Sequence, residues 1–201
     1  PDWGTDFEGA GCADGSSGNT CLVTGAPDLD CTTGPCPIAG ARSARLATLS
    51  DGLRANAIIP AIAPSDPDGA MTCRLRANVA SAGSGTPVLW RGSIGTANNN
   101  VRLQTRVNAS SRVELRAISG GAALSPWVDS GFATGSPFAL QVRYQPASDL
   151  VEVWVAPDFG SLAAPLLSAA GSAGVSIDGN RIAGAAGWDL VLDDWSCAGT
   201  R

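Results

Sequence analysis

Between Val101 and Val155 the chain alternates apolar and polar residues in four separate segments. In the first, Val101, Leu103, Thr105 and Val107 fall on one side, and Arg102, Gln104, Arg106 and Asn108 on the other. In the second, Val113, Leu115 and Ala117 alternate with Arg112, Glu114 and Arg116. Phe138, Leu140, Val142 and Tyr144 then alternate with Ala139, Gln141 and Arg143, and Val151, Val153 and Val155 with Glu152 and Trp154. Successive side chains on a strand point to opposite faces, so this period of two predicts sheets with one face buried and one wet. Antiparallel sheets have that property, whereas parallel sheets are covered on both sides and read as continuous apolar runs.

Around this centre the elements are shorter. Residues 1–10, with Trp3 and Phe7, read as a first strand, and residues 11–40 as a long Cys-rich loop full of Gly, Pro, Asp and Ser. Ala41 to Leu49, Ala55 to Ile59, Thr72 to Val79 and Pro87 to Gly92 read as strands, with a turn at Asp66-Pro67-Asp68-Gly69. Residues 157–180 read as loop with one strand at Val175 to Ile177, and Trp188 to Cys197 closes the chain as a strand. No helical period is sustained. Strands at this spacing predict an antiparallel all-β sandwich or barrel. A chain of 201 residues can hide roughly 70% of its unfolded surface, enough for a single domain over residues 1–201.

Composition removes several chemistries. All 13 basic residues are Arg, with no Lys and no His. Imidazole-based triads, Schiff bases and phosphate-loop lysines are therefore excluded. A net charge of −5 argues against a nucleic-acid partner. No apolar run approaches the ~20 residues of a membrane span. No signal peptide is visible; the chain opens at Pro1-Asp2-Trp3, as a processed chain would. The cysteines are Cys12, Cys21, Cys31, Cys36, Cys73 and Cys197. Their spacing lacks the paired Cys-x-x-Cys of zinc sites, and four of them lie in a segment too poor in apolar residues to hold itself. Disulfides and an oxidising, extracellular compartment follow. The expected pairing is Cys12 with Cys21, Cys31 with Cys36 and Cys73 with Cys197, although the sequence leaves the connectivity open.

The stretch Phe138-Ala-Leu-Gln-Val-Arg-Tyr-Gln-Pro-Ala-Ser-Asp-Leu-Val-Glu-Val-Trp-Val155 resembles the strand pair of concanavalin A-like lectin/glucanase and laminin-G-like domains. Val88-Leu-Trp-Arg-Gly92 is similar to an earlier strand of those domains, and Trp188-Asp-Leu-Val-Leu-Asp-Asp-Trp195 to their last one. The resemblance implies a two-sheet jelly roll. A second resemblance, to galactose-binding-like carbohydrate modules, rests on Asp6-Phe-Glu-Gly9 and Asp193-Asp194. It implies a structural calcium ion held by Glu8 and Asp194, oxygen ligands suited to a hard cation.

Glucanases of the first family carry paired carboxylates on one strand. Here the only Glu residues are Glu8, Glu114 and Glu152; Glu8 has Asp6 two positions away, and Glu114 and Glu152 have no carboxylate two or four positions away. Neighbouring Arg112, Arg116 and Arg143 are set to pair with them, and Asp51, Asp129 and Asp178 read as turn residues. A glycan-degrading enzyme is thus the third reading. The first is a non-catalytic module binding a glycan or cell-surface ligand through Arg102, Gln104, Arg106, Arg116, Gln141, Arg143, Glu152 and Trp154. Planar polar groups grip hydroxyls and an aromatic face stacks on a sugar ring, and the arginines would suit an anionic glycan. An ordinary solvated sheet face explains the same residues. Trp90 and Trp188 read as core, Trp3 and Trp195 as meeting where the first and last strands join. Trp127 reads as packed, and is the better placed of the loop tryptophans for stacking. The second reading is a structural subunit of an extracellular filament, surface layer or viral appendage, its partners being neighbouring subunits. Asn108-Ala109-Ser110 is an N-glycosylation sequon.

Overall fold

A computed structural model describes residues 3–5, 21–41, 43–55, 61–93 and 100–200. The strands are β1 (Trp3–Thr5), β2 (Cys21–Thr24), β3 (Asp28–Cys31), β4 (Ser43–Leu46), β5 (Gly52–Ala55), β6 (Ala70–Ser81), β7 (Val88–Arg91) and β8 (Val101–Val107). They continue with β9 (Arg112–Ser119), β10 (Ala122–Ala123), β11 (Val128–Ala133), β12 (Phe138–Gln145), β13 (Leu150–Ala156), β14 (Leu167–Ala170), β15 (Arg181–Ala183) and β16 (Asp189–Thr200). Two eight-stranded sheets result. Sheet I runs β14-β13-β12-β6-β16-β4-β3 with β1 also on β16; sheet II runs β10-β9-β8-β7-β15-β5-β2 with β11 also on β9. Every pairing between these strands is antiparallel. The predicted antiparallel all-β sandwich is the fold observed.

The four alternating segments are β8, β9, β12 and β13, and their apolar sides form the core. Val101, Leu103, Val113 and Leu115 of sheet II and Leu140, Val142, Val151 and Val153 of sheet I are all fully buried in one cluster. Trp90 of β7 bridges the layers, its ring 6.3 Å from that of Tyr144 in β12. Its Nε1 donates to Asn180 Oδ1 at 2.9 Å, so the indole enters the core without an orphaned donor. The Cys73–Cys197 disulfide joins β6 to β16 beside this indole. Cys31–Cys36 closes a small loop that covers Val191 on the outer side of sheet I. Both pairings are as expected. Cys12 lies outside the described residues, as does the side chain of Cys21, and with them the third pairing.

Several expectations on the shorter elements need correction. Residues 11–40 are not loop throughout, since β2 and β3 lie within them. Of the strand expected at Ala55 to Ile59 only Ala55 is among the described residues, as the last residue of β5. The Gly-rich stretch after Gly120 holds β10 and β11, which places Asp129 on a strand and not in a turn. In residues 157–180 the strand is β14, while Ile177 makes only an isolated bridge to Ile62. These strands are two to six residues long and are defined by backbone pairing to a neighbour, with little side-chain alternation to announce them. The first and last strands do meet: Trp3 stands opposite Cys197 and Thr5 opposite Trp195. Trp90, Trp188 and Trp195 are buried.

Candidate functional site

The eight residues proposed for ligand binding do not share a face. Arg102, Gln104 and Arg106 lie on β8 and Arg116 on β9, in sheet II. Gln141 and Arg143 lie on β12 and Glu152 and Trp154 on β13, in sheet I. The apolar sides of all four strands meet in the core, so the polar sides look outward from opposite layers. A single sequence shows which side of a strand is wet, but not which sheet the strand joins.

On sheet I the polar groups are largely occupied by one another. Arg74 Nε donates to Gln141 Oε1 at 2.6 Å, and Arg143 pairs with Glu152 at 3.0 Å. Trp154 stands opposite Gln141 and is half-buried.

Sheet II gathers more charge. Gln104 stands opposite Arg116 and Arg106 opposite Glu114. Arg116 Nη2 donates to Gln104 Oε1 at 2.9 Å, and Gln104 Nε2 donates to Thr86 Oγ1 at 3.2 Å. Trp127, from the loop before β11, lies over this face. The guanidinium carbons of Arg106 and Arg116 sit 4.6 and 4.4 Å from its ring centroid, a cation–π arrangement. Trp127 is therefore packed, as expected, and it is packed on the polar face.

The register also brings three arginines that the sequence did not single out. Arg54 of β5 stands opposite Arg181 of β15, Arg181 opposite Arg91 of β7, and Arg91 opposite Arg102 of β8. They are far apart in sequence, and only the strand order aligns them. Burial, then the charges of Arg181 and Arg102, lower the Arg91 pKa, with Asp178 acting in the opposite sense.

The two described glutamates do not form a carboxylate pair. Glu114 and Glu152 belong to different sheets. Arg106 and Asn108 donate to Glu114 at 2.6 and 3.1 Å and hold it below the usual carboxylate range, which disfavours a protonated acid. Asp149, buried at the β12–β13 turn, accepts from Ser119 Oγ at 2.6 Å and Tyr144 Oη at 2.8 Å, and Tyr144 Oη accepts from Val175 N at 2.8 Å. This network ties the sheets together. Asn108 is committed to its turn: Oδ1 accepts from Ser110 N and Arg112 N, while Nδ2 donates to Glu114.

For the calcium expectation, Glu8 lies outside the described residues. The Asp194 carboxylate accepts from Arg76 Nε at 2.7 Å, and that cation would oppose a divalent ion. Among the described residues no group of three or more His, Cys, Asp or Glu side chains could hold a metal.

No protein-family model and no curated protein sequence matches the chain. Solved structures do. Lectin I-B4 from Griffonia simplicifolia, in its metal-free form, superposes with a TM-score of 0.59 at 8% identity, over 100% of both chains. The cellulose-induced protein Cip1 gives 0.57 at 15% identity, over 98% of this chain and 97% of that one. A protein of unknown function from Shewanella oneidensis MR-1 gives 0.63 at 13% identity, over 100% and 88%. The chain has the concanavalin A-like jelly-roll fold. At these identities the likeness is one of fold, and function has to be argued from the site.

Proposed function

We propose that the protein is a non-catalytic carbohydrate-recognition module of a secreted or surface protein, binding through the outer face of sheet II. The observation that carries this reading is the gathering of Arg102, Gln104, Arg106, Arg116 and Trp127 on one face. Guanidinium and amide groups donate to hydroxyl and anionic oxygens in fixed planar geometry, and the indole adds an apolar surface. The fold likeness to a legume lectin supports the reading by analogy. The Cys31–Cys36 and Cys73–Cys197 disulfides support an oxidising, extracellular setting. On sheet I, Arg45, Arg76 and Arg143 are each paired with a carboxylate, whereas among the described residues Arg102 and Arg116 of sheet II have none, which leaves sheet I the weaker candidate.

A glycan array followed by titration of the hits tests this. Saturable binding that falls about tenfold in Arg102→Ala or Trp127→Ala, while Arg143→Ala on the opposite sheet changes little, is the expected result. Loss in Arg143→Ala alone would move the site to sheet I. An empty array together with concentration-dependent self-association in light scattering would favour an assembly subunit.

A further inference from the structure

Of the 13 arginines in the chain, Arg54, Arg181, Arg91 and Arg102 form one transverse row across β5, β15, β7 and β8, each directly opposite the next. Adjacent strands lie about 4.8 Å apart, so the row spans roughly 14 Å across three strand intervals. Like charges directly opposite one another across a sheet are destabilising. Among the described residues, Arg54, Arg102 and Arg181 have no ion pair, and their Nε atoms are buried without a hydrogen-bond partner. Asp178 supplies one negative charge near Arg91. The row therefore carries excess positive charge within a protein whose net charge is −5.

The next row along the same strands differs in shape. Gly52 stands opposite Ala183 and Ala183 opposite Val88, and Val88 stands opposite Gln104, itself opposite Arg116. Ala183 and Val88, both half-buried, thus lie beside the Arg181 and Arg91 guanidiniums as a low floor along which an extended chain can lie, while Gly52 at one end is buried. At its far end are the Gln104 amide and the Trp127 ring held by Arg106 and Arg116.

We infer that this face binds a linear acidic polysaccharide running across the strands, with the Arg54–Arg181–Arg91–Arg102 row contacting one carboxylate or sulfate per sugar. The strand interval is close to the advance of one sugar along an extended glycan. A guanidinium meets either anion through two parallel N–H donors. Because arginine stays protonated throughout the range in which proteins fold, the row offers fixed charge and no proton-transfer group. The inference rests on the carbohydrate-recognition reading and narrows its ligand.

Calorimetric titration and thermal melts with polygalacturonate, dextran sulfate, uncharged dextran and inorganic polyphosphate test it, using the wild type, Arg102→Gln, Arg181→Gln and, as a charge control on sheet I, Arg74→Gln. Polygalacturonate or dextran sulfate should bind, the stronger of the two identifying the anion, and should raise the melting temperature. Arg102→Gln and Arg181→Gln should each weaken binding at least about tenfold while leaving the melting temperature of the free protein unchanged or raised. Arg74→Gln should bind like the wild type. A row with a purely structural role would instead show lower melting temperatures in both row variants and unchanged affinity. Equal binding of dextran would overturn the anionic ligand while sparing the carbohydrate reading, and polyphosphate binding as tightly as either glycan would reduce the row to a general polyanion surface. Failure of all the glycans here, together with an empty glycan array, would overturn both.

Discussion

Asp193 of β16 is buried, and its carboxylate accepts from Ala39 N at 3.1 Å, Ser43 Oγ at 3.0 Å and Asp194 N at 2.9 Å. Burial outweighs those donors and pushes its pKa from 3.8 up to about 6. Between those values the folded state binds more protons than the unfolded one, so this residue's contribution to stability falls as pH rises from about 4 to about 6. The effect is on the order of 2–3 kcal/mol. Asp51 has the opposite sign. Burial works against its charge, but donors from Thr48, Ala47 and Ala26 prevail and hold its pKa below the ordinary 3.8. Its contribution is present above that value and is lost as the pH falls through its lowered pKa. Urea unfolding at several pH values should show a midpoint that declines from pH 4 to 6 in the wild type and is flatter in Asp193→Asn. Parallel slopes in the two proteins would mean that Asp193 titrates normally.

At the scale of elements, the β12–β13 connection depends on how closely the segment 171–175 can approach it. Gly171 N donates to Asp149 O at 3.1 Å and Val175 N to Tyr144 Oη at 2.8 Å. A Cβ at Gly174 would overlap the carbonyl of Pro146. Gly174→Ala should therefore cost about 1–3 kcal/mol through forced backbone displacement, read as a lower denaturation midpoint; an unchanged midpoint would show that the segment yields freely. That connection was only partly legible in the sequence, for reasons that recur through the molecule. β8, β9, β12 and β13 declared themselves because half their residues are buried and half are wet. β2, β10 and β15 are two to four residues long, and backbone pairing leaves little trace in side-chain type. The site was legible to the same degree. Arg102, Gln104, Arg106 and Arg116 stood out through alternation, whereas Arg54, Arg91 and Arg181 are linked only by cross-strand register. Arg143 and Trp154 were grouped with them because every strand announces a wet side and none announces its sheet.

For the molecule as a whole, β6 and β16 pair along most of their length in the middle of sheet I, and the Cys73–Cys197 bond fixes them at a Cα–Cα distance of 4.1 Å. The bond spans 124 residues of sequence. By the chain-entropy relation, closing so long a loop stabilises by about 4–5 kcal/mol, against about 2 kcal/mol for the short Cys31–Cys36 loop. Equilibrium unfolding of the double variant Cys73→Ala, Cys197→Ala should show the larger loss, and the corresponding Cys31, Cys36 variant the smaller. The reverse order would mean that loop packing over Val191 matters more than chain connectivity. The strand order carries a further consequence. β1 and the far end of β16 lie side by side in sheet I, while the arginines align on the outside of the other layer. A glycan held on that row would therefore meet the layer that carries neither the Cys31–Cys36 nor the Cys73–Cys197 bond.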